Sequence, residues 1–492
     1  MNKKKCIISF LTSAFIAANA ASVSAKTVLK GYKGDINNDL MVNSEDLSEL
    51  LGSMFGKSQA ENTDIDSDGR TDIRDVIILK STLIGESEPE EIYEEIPDTY
   101  VKKAVDKLGA PLPSTGTVSL PVFIVSFPDC SFPSSLTKEK VSSTLFGPED
   151  PGSADYPFES ISAFYSRASK GQLNITGDIY EYTAKYPISY YGNDVYRTKI
   201  TKECLSAFDS VIDYRKYDSD SNKSIDTALI CVPPGTSDDD WWPAAGVIDD
   251  NFFRVDGLSV GQVIVGNEDL SKPNSCNSGY SHELGHCLGL PDYYLYYGDN
   301  SEGLRGDAGT ELMDTDAHSD LSAVSKLALG WYTEENAMIY KHSSTPQEYV
   351  LYNAQTDRGN CLIIPSGTSW DPNSEYFVIE YQTETANNSD LKRIWWQKFD
   401  PGVRIYHAST EVANNGFWSY FKYENSYEEN YGRRFIRMVN DGKPAFRSGS
   451  IIDSSTPGFG WYDPSGKETV NTGITVKVIS SDSEKSIISI YG

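Results

Sequence analysis

The sequence predicts a multidomain chain: a small α module of two loop–helix repeats, then an α+β domain, then a β-rich C-terminal region. Three observations predict it. The acidic stretch DINNDLMVNSED at 35–46 recurs as DIDSDGRTDIRD at 64–75, and an apolar stripe at helical spacing follows each copy. From about 118 to 335, apolar strand-like runs alternate with helical ones. From about 340 onward, short β-branched and aromatic runs sit between Gly, Asn, Asp and Pro turns.

Residues 1–25 read as a signal peptide. Lys3, Lys4 and Lys5 make a basic start, Cys6 to Ala20 is mostly apolar, and Val23-Ser24-Ala25 offers small residues for cleavage. The apolar stretch is too short and interrupted for an anchor, and no later segment is long enough to span a bilayer. A secreted, extracellular chain with no transmembrane segment is expected. Its formal net charge is −28, and loss of the leader's three lysines takes it to −31. Such a chain repels nucleic acid and anionic membranes. Beyond the leader, Cys130, Cys204, Cys231, Cys276, Cys287 and Cys361 remain; secretion permits disulfides, their pairing is open, and Cys287 is expected as a buried thiol.

Residues 30–86 hold the repeat. Both acidic stretches place oxygen-bearing side chains at loop positions 1, 3, 5, 9 and 12, as a calcium loop requires. The first set is Asp35, Asn37, Asp39, Asn43 and Asp46; the second is Asp64, Asp66, Asp68, Asp72 and Asp75. Met41 and Arg70 occupy position 7, where the backbone carbonyl serves. Leu47, Leu50, Leu51 and Met54 form the stripe of the first helix, and Val76, Leu79 and Leu83 that of the second. A duplicated loop–helix unit with Asp at position 12 resembles a type I dockerin. The resemblance implies two calcium ions, a cohesin domain of a scaffoldin as partner, attachment to a cellulosome-type multienzyme complex, and cohesin contact at positions 10 and 11, here Ser44 with Glu45 and Ile73 with Arg74. The copies differ there, so two equivalent binding orientations are not expected.

Residues 87–116 read as an acidic linker and lead-in. Glu86, Glu88, Glu90, Glu91, Glu94, Glu95 and Asp98 repel one another, and Pro89 and Pro97 stiffen the stretch. The α+β domain then runs over 117–340. Strands are expected at 121–127 and 227–233, and helices at 201–208 and from about Tyr280.

That last helix carries the chemistry. Residues 281–292 read SHELGHCLGLPD. On a helix His282 and His286 share a face, so two imidazoles can grip one zinc ion, with Glu283 beside them to move protons. A catalytic zinc needs a third ligand and an open position. Gly289 can stop the helix and Pro291 forbids its resumption, so the reversed chain can bring Asp292 to the metal. Glu302 or Glu311 could be proposed instead, but neither sits in a helical motif. The pattern H-E-x-x-H-x-x-G-x-x-D follows the metzincin plan with Asp as last ligand, and Met313 in Glu311-Leu312-Met313-Asp314 stands where a methionine turn is expected.

Here the resemblance becomes specific. The chain resembles the immune-inhibitor-A-type secreted zinc metallopeptidases, which are metzincin-like. HELGHCLGLPDYY at 282–294 matches throughout, as do PVFIVSFPD at 121–129, YSRASKGQLNITG at 165–177, the Leu312-Met313-Asp314 stretch before HSDLSAVSKLALGW, EYFVIEY at 375–381 and GVRIYH at 402–407. One departure is that His318 and Leu321 are not adjacent, with Ser319 and Asp320 between them. The resemblance spans roughly 118–410 and implies hydrolysis of peptide bonds, with Glu283 as general base. No tyrosine stands two residues after Met313, where Thr315 lies; His318, Tyr280, Tyr293 and Tyr294 are the alternatives for an oxyanion donor.

Asp218, Asp220, Asn222 and Asp226 alternate as calcium ligands do, against an acidic turn as the other reading. In 341–492, whose first part is continuous with the peptidase-like region, strands are expected at 350–352, 376–381, 403–406 and 474–479. Trp395, Trp396, Trp418 and Trp461 either line a carbohydrate site or pack core and turns. The expectation is a secreted zinc-dependent endopeptidase acting on protein or peptide substrate and tethered to a scaffold. The alternative is a non-catalytic or glycoprotein-targeting module of the same complex.

Overall fold

The computed structural model describes residues 25–36, 42–56, 63–66, 69–84, 91–97, 103–192, 197–234, 241–294, 296, 308–309, 311–314, 318–389, 401–415, 419–426, 432–439 and 445–492. Residues 1–24 of the expected signal peptide, the loop residues Asn37, Asp39, Met41 and Asp68, and Glu302, Thr315, Trp395, Trp396 and Trp418 lie outside them. The chain divides into two compact units, Met1–Val101 and Lys102–Gly492. It is a multidomain α/β protein with mixed sheets, few helices and a β-rich C-terminal region.

In the first unit the helices Ser44–Met54 and Ile73–Leu83 follow the two acidic loops. Their starts are fixed by the duplicated sequence. Asn43 and Asp72 cap the helices by accepting from the Glu45 and Arg74 amides, and Asp46 and Asp75 return to the Asn43 and Asp72 amides, a reciprocal capping box. The core is as repetitive as the sequence: Ile36, Leu50, Ile65 and Leu79 are buried together, with Leu47, Val76 and Leu83 packed against them. Leu51 and Met54, expected in the stripe, are only half-buried. The acidic linker is corrected in part. Strand β1 (Ala25–Tyr32) pairs antiparallel with β2 (Glu91–Pro97), so 91–97 is ladder-bonded backbone and not free linker. Backbone pairing needs only N–H and C=O groups, which charge repulsion along one strand does not remove.

The second unit opens with β3 (Gly116–Ser126), β4 (Leu173–Thr183), β5 (Ser224–Cys231), β6 (Ala244–Val247) and β7 (Ser259–Gly266). Their order is β4-β3-β5-β7-β6; the first four run parallel and β6 closes one edge antiparallel. The central strands β3 and β5 are buried on both faces, so they read as continuous apolar runs, whereas the edge strand β4 is largely exposed or half-buried. Val122 and Ile124 enter one core, Phe123 and Val125 the other. The helix expected at 201–208 spans Thr198–Phe208. The site helix spans Pro273–Cys287 and begins seven residues before Tyr280.

The remaining strands are β8 (Ala337–Ile339), β9 (Gln347–Tyr352), β10 (Cys361–Pro365), β11 (Glu375–Gln382), β12 (Gly402–Ser409), β13 (Val412–Asn414), β14 (Ser419–Phe421), β15 (Ile436–Met438), β16 (Ile451–Ile452), β17 (Gly460–Tyr462), β18 (Glu468–Asn471), β19 (Thr475–Ser481) and β20 (Lys485–Tyr491). A five-stranded sheet, β15-β12-β11-β10-β8, faces a four-stranded sheet, β16-β19-β20-β9. Leu362, Phe377, Ile405, Val476 and Ile488 fill the sandwich between them. The other face of the five-stranded sheet, with Ile363, Val378 and Tyr406, enters the same core as the site helix. Trp461 packs on Phe377 with ring centroids 4.7 Å apart, which is core packing.

Candidate metal centre and cleft

The site helix ends as its sequence requires. Gly289 takes φ +98°, the Leu290 amide reaches back to the Gly285 carbonyl at 3.0 Å, and the chain reverses. The reversal delivers Asp292 to the two histidines. Its Oδ1 lies 3.0 Å from His282 Nε2 and 3.3 Å from His286 Nε2. A tetrahedral zinc with bonds of about 2.0–2.1 Å spaces its ligands about 3.3 Å apart, so this donor set fits that ion. Both imidazoles are also oriented from behind. His282 Nδ1 donates to the Leu312 carbonyl and His286 Nδ1 to the Leu290 carbonyl, each at 2.8 Å, which leaves both Nε2 lone pairs for a metal.

The electrostatics of these side chains follow. Burial pushes the His286 imidazole down, but hydrogen bonding and charge from Asp292 outweigh it and raise it to about 9; His282 is raised by the same balance. Burial pushes Asp292 up, and the two imidazoles overcome it and hold the carboxyl far below the usual carboxylate range. Burial raises Glu283 against the pull of His286 and His282. Glu283 is 8% exposed, and its Oε2 accepts the Ala245 amide of the edge strand β6 at 2.6 Å.

These residues stand on the floor of an open cleft of about 1020 Å³. Trp242, Ala244, Ala245 and Val247 line it beside β6, and Tyr420, Phe421 and Glu424 line it from the C-terminal region. That second wall is bonded to the loop that carries Asp292: Ser426 Oγ donates to the Asp292 carbonyl at 3.3 Å, and Asn425 Nδ2 to the Tyr293 carbonyl at 3.3 Å. Burial pushes Glu424 up to about 7.

Of the four oxyanion alternatives, His318 and Tyr294 line the cleft. Tyr280 and Tyr293 are buried; their hydroxyls bond the Gly266 carbonyl at 3.2 Å and Ser325 Oγ at 2.8 Å. Glu311 is not a metal ligand. It is fully buried and accepts from the Met313 amide, the Ser322 amide and Ser325 Oγ. Met313 lies under the helix where Gly285 faces it: a Cβ there would sit 2.3 Å from Met313 Sδ.

Sequence reasoning passed over three partners of the site. Tyr296 donates its hydroxyl to Asp292 Oδ2 at 2.5 Å. Ala245 and Glu424 reach the cleft from elements distant in sequence. Only Tyr296 had a local signal, four residues beyond Asp292.

Two acidic groups also converge. Carboxylates of Asp64, Asp66 and Asp75 could share an ion, and so could those of Asp218, Asp220 and Asp226. Asp75 meanwhile accepts from the Ile65 amide at 2.6 Å and the Asp72 amide at 2.7 Å. In the first loop Asp35 and Asp46 are buried, and Asp46 accepts from the Ile36 amide at 2.8 Å. Asn43 and Asp72 spend a side-chain oxygen on helix capping, and Arg70 is exposed. Asn222 donates to Asp220 at 2.9 Å, while burial pushes Asp226 up to about 6. Ser44, Glu45, Ile73 and Arg74 are all exposed at the helix starts. The six cysteines are unpaired thiols, Cys287 among the buried ones. Among the described residues no helix is long and apolar enough to cross a membrane.

No protein-family model matches the chain, and no curated protein does. Among solved structures the chain is similar to wild-type OgpA from Akkermansia muciniphila, at 15% identity and a TM-score of 0.26 over 57% of this chain and 75% of that one. A similarity this slight bears on neither fold nor function.

Proposed function

We propose that residues 102–492 form a zinc-dependent endopeptidase that is secreted and carried by a dockerin-like module within residues 30–86. The observation that carries the reading is the convergence of His282 Nε2, His286 Nε2 and Asp292 Oδ1 beside Glu283 in an open cleft of about 1020 Å³.

His282, His286 and Asp292 hold the ion. Zinc, when bound, supplies the Lewis acidity that activates water and polarises a carbonyl. Glu283 takes the water's proton and returns it to the leaving amine; the Ala245 amide fixes one of its oxygens and leaves the other for that proton. Burial raises the Glu283 carboxyl above its ordinary value, which strengthens it as a proton acceptor. Met313 fills the space below Gly285 and keeps the helix from settling.

For the first unit, the duplicated core, the paired capping boxes and the convergence of Asp64, Asp66 and Asp75 support two calcium loops. Exposed Ile73 and Arg74, beside exposed Ser44 and Glu45, support a single cohesin-facing side. A third calcium at Asp218, Asp220 and Asp226 is part of the same reading.

The test is casein cleavage by the full chain beside Glu283→Gln, with the zinc content of both. Turnover by the first and not the second, with zinc in each, is expected. Zinc without turnover in the first would favour a binding module, and a folded protein that takes up no zinc would overturn the metal centre.

A further inference from the structure

We propose that Glu311 is the positioning residue of the metal centre, a buried carboxylate that sets the place of all three ligands without touching the metal. The inference rests on the zinc reading above.

Glu311 has no exposure to solvent, yet it carries a titratable group inside an apolar core with Leu312, Met313, Tyr293 and Val324. A buried carboxyl is costly unless it is satisfied, and this one is satisfied on both oxygens. Oε2 accepts the Met313 amide at 2.5 Å, while Oε1 accepts the Ser322 amide at 3.0 Å and Ser325 Oγ at 2.6 Å. One carboxylate thus ties the turn 311–314 to the start of the short helix Ala323–Ala328.

That turn reaches each ligand separately. The Leu312 carbonyl receives His282 Nδ1 at 2.8 Å and so fixes which ring nitrogen faces the metal. The Met313 carbonyl receives the Tyr293 amide at 2.8 Å, next in chain to Asp292. The Met313 side chain stands against Gly285, next to His286. The Tyr293 hydroxyl bonds Ser325 Oγ at 2.8 Å, which closes the circuit back to Glu311. Replacing the carboxylate leaves the Met313 and Ser322 amides buried without acceptors, and the turn must move to satisfy them.

The experiment compares the full chain with Glu311→Gln and Glu311→Ala. Zinc affinity is read by competition with a chromophoric chelator, and the melting point is read on the metal-free proteins. Outer-shell partners of metal ligands are worth about tenfold to a hundredfold in affinity. The expected order of zinc affinity is wild type, then Gln, then Ala, with a loss of about tenfold or more in the last and KM unchanged in whatever activity is left. A purely structural role would lower the metal-free melting point and leave zinc affinity of the folded protein as it was; that result overturns the inference. Should both variants fail to fold, Ser325→Ala removes one donor and keeps the carboxylate. A weakened zinc affinity there supports the inference, and an unchanged one overturns it. A wild type that binds no zinc at all overturns the zinc reading itself, whereas tight zinc in wild type and variants alike overturns only the role of Glu311.

Discussion

The Ala245 amide donates to Glu283 Oε2 at 2.6 Å, so an edge strand and the site helix meet at the proposed base. A hydrogen bond to a charged group contributes about 1.5–3 kcal/mol. Ala245→Pro deletes that donor on an edge strand, where proline is tolerated. We expect kcat/KM on casein to fall about tenfold to a hundredfold with zinc content unchanged. An unaltered rate would show that Glu283 is aimed without β6.

Tyr296 is expected to act on the metal through Asp292. Its hydroxyl occupies Oδ2, which leaves Oδ1 as the oxygen facing both histidines. Tyr296→Phe should weaken zinc about tenfold or more, measured by chelator competition, while leaving the fold by circular dichroism intact. Equal affinity would remove Tyr296 from the site.

Zinc binding should depend on pH well above neutrality. In the metal-free cluster His286 is raised to about 9, so it is protonated at pH 7 and must lose that proton to bind metal. Affinity should climb by about tenfold per pH unit between 7 and 9 and flatten above. Stability of the metal-free protein moves the other way. The His286 contribution is complete below 6.5 and lost as pH rises through about 9. The depressed Asp292 contribution is present above 3.8 and lost only in strong acid. A zinc affinity already flat at pH 7 would contradict this.

In the first unit Asp75 serves two ends, the capping box and the acidic cluster. Asp75→Ala should cost about 1–3 kcal/mol without calcium, through the Ile65 and Asp72 amides it leaves without an acceptor. On the calcium-loop reading proposed above, it should also abolish any calcium-dependent stabilisation seen in the wild type. Calorimetry of the two proteins with calcium and with chelator separates the effects; an equal calcium response in both would clear Asp75 of ligand duty.

The convergence of the candidate ligands was legible because it is local. His282, Glu283, His286 and Asp292 lie within eleven residues, and helix geometry plus one glycine turn brings them together. The duplicated loops were legible for the same reason. The start of the site helix was not. Residues 273–279 read Pro-Asn-Ser-Cys-Asn-Ser-Gly, poor helix formers that compete with the backbone for hydrogen bonds. They are helical because Asn277 Nδ2 is held by the Thr144 and Phe158 carbonyls, both at 2.9 Å, and Pro273 stands at the first turn. Strand β2 was hidden by its charge, since its partner β1 lies beyond the whole repeat. Ala245, Glu424 and the carboxylate of Glu311 depend on tertiary neighbours that no spacing announces.

The five-stranded sheet β15-β12-β11-β10-β8 is wet on neither face. It is a party wall, and neither room stands once it is taken down. Recombination that carried residues 281–292 to another gene without residues 337–491 would deliver a cleft with one side missing and the apolar core around the site helix laid open. The piece that would have to travel together is therefore the compact unit Lys102–Gly492, a long parcel for a twelve-residue motif.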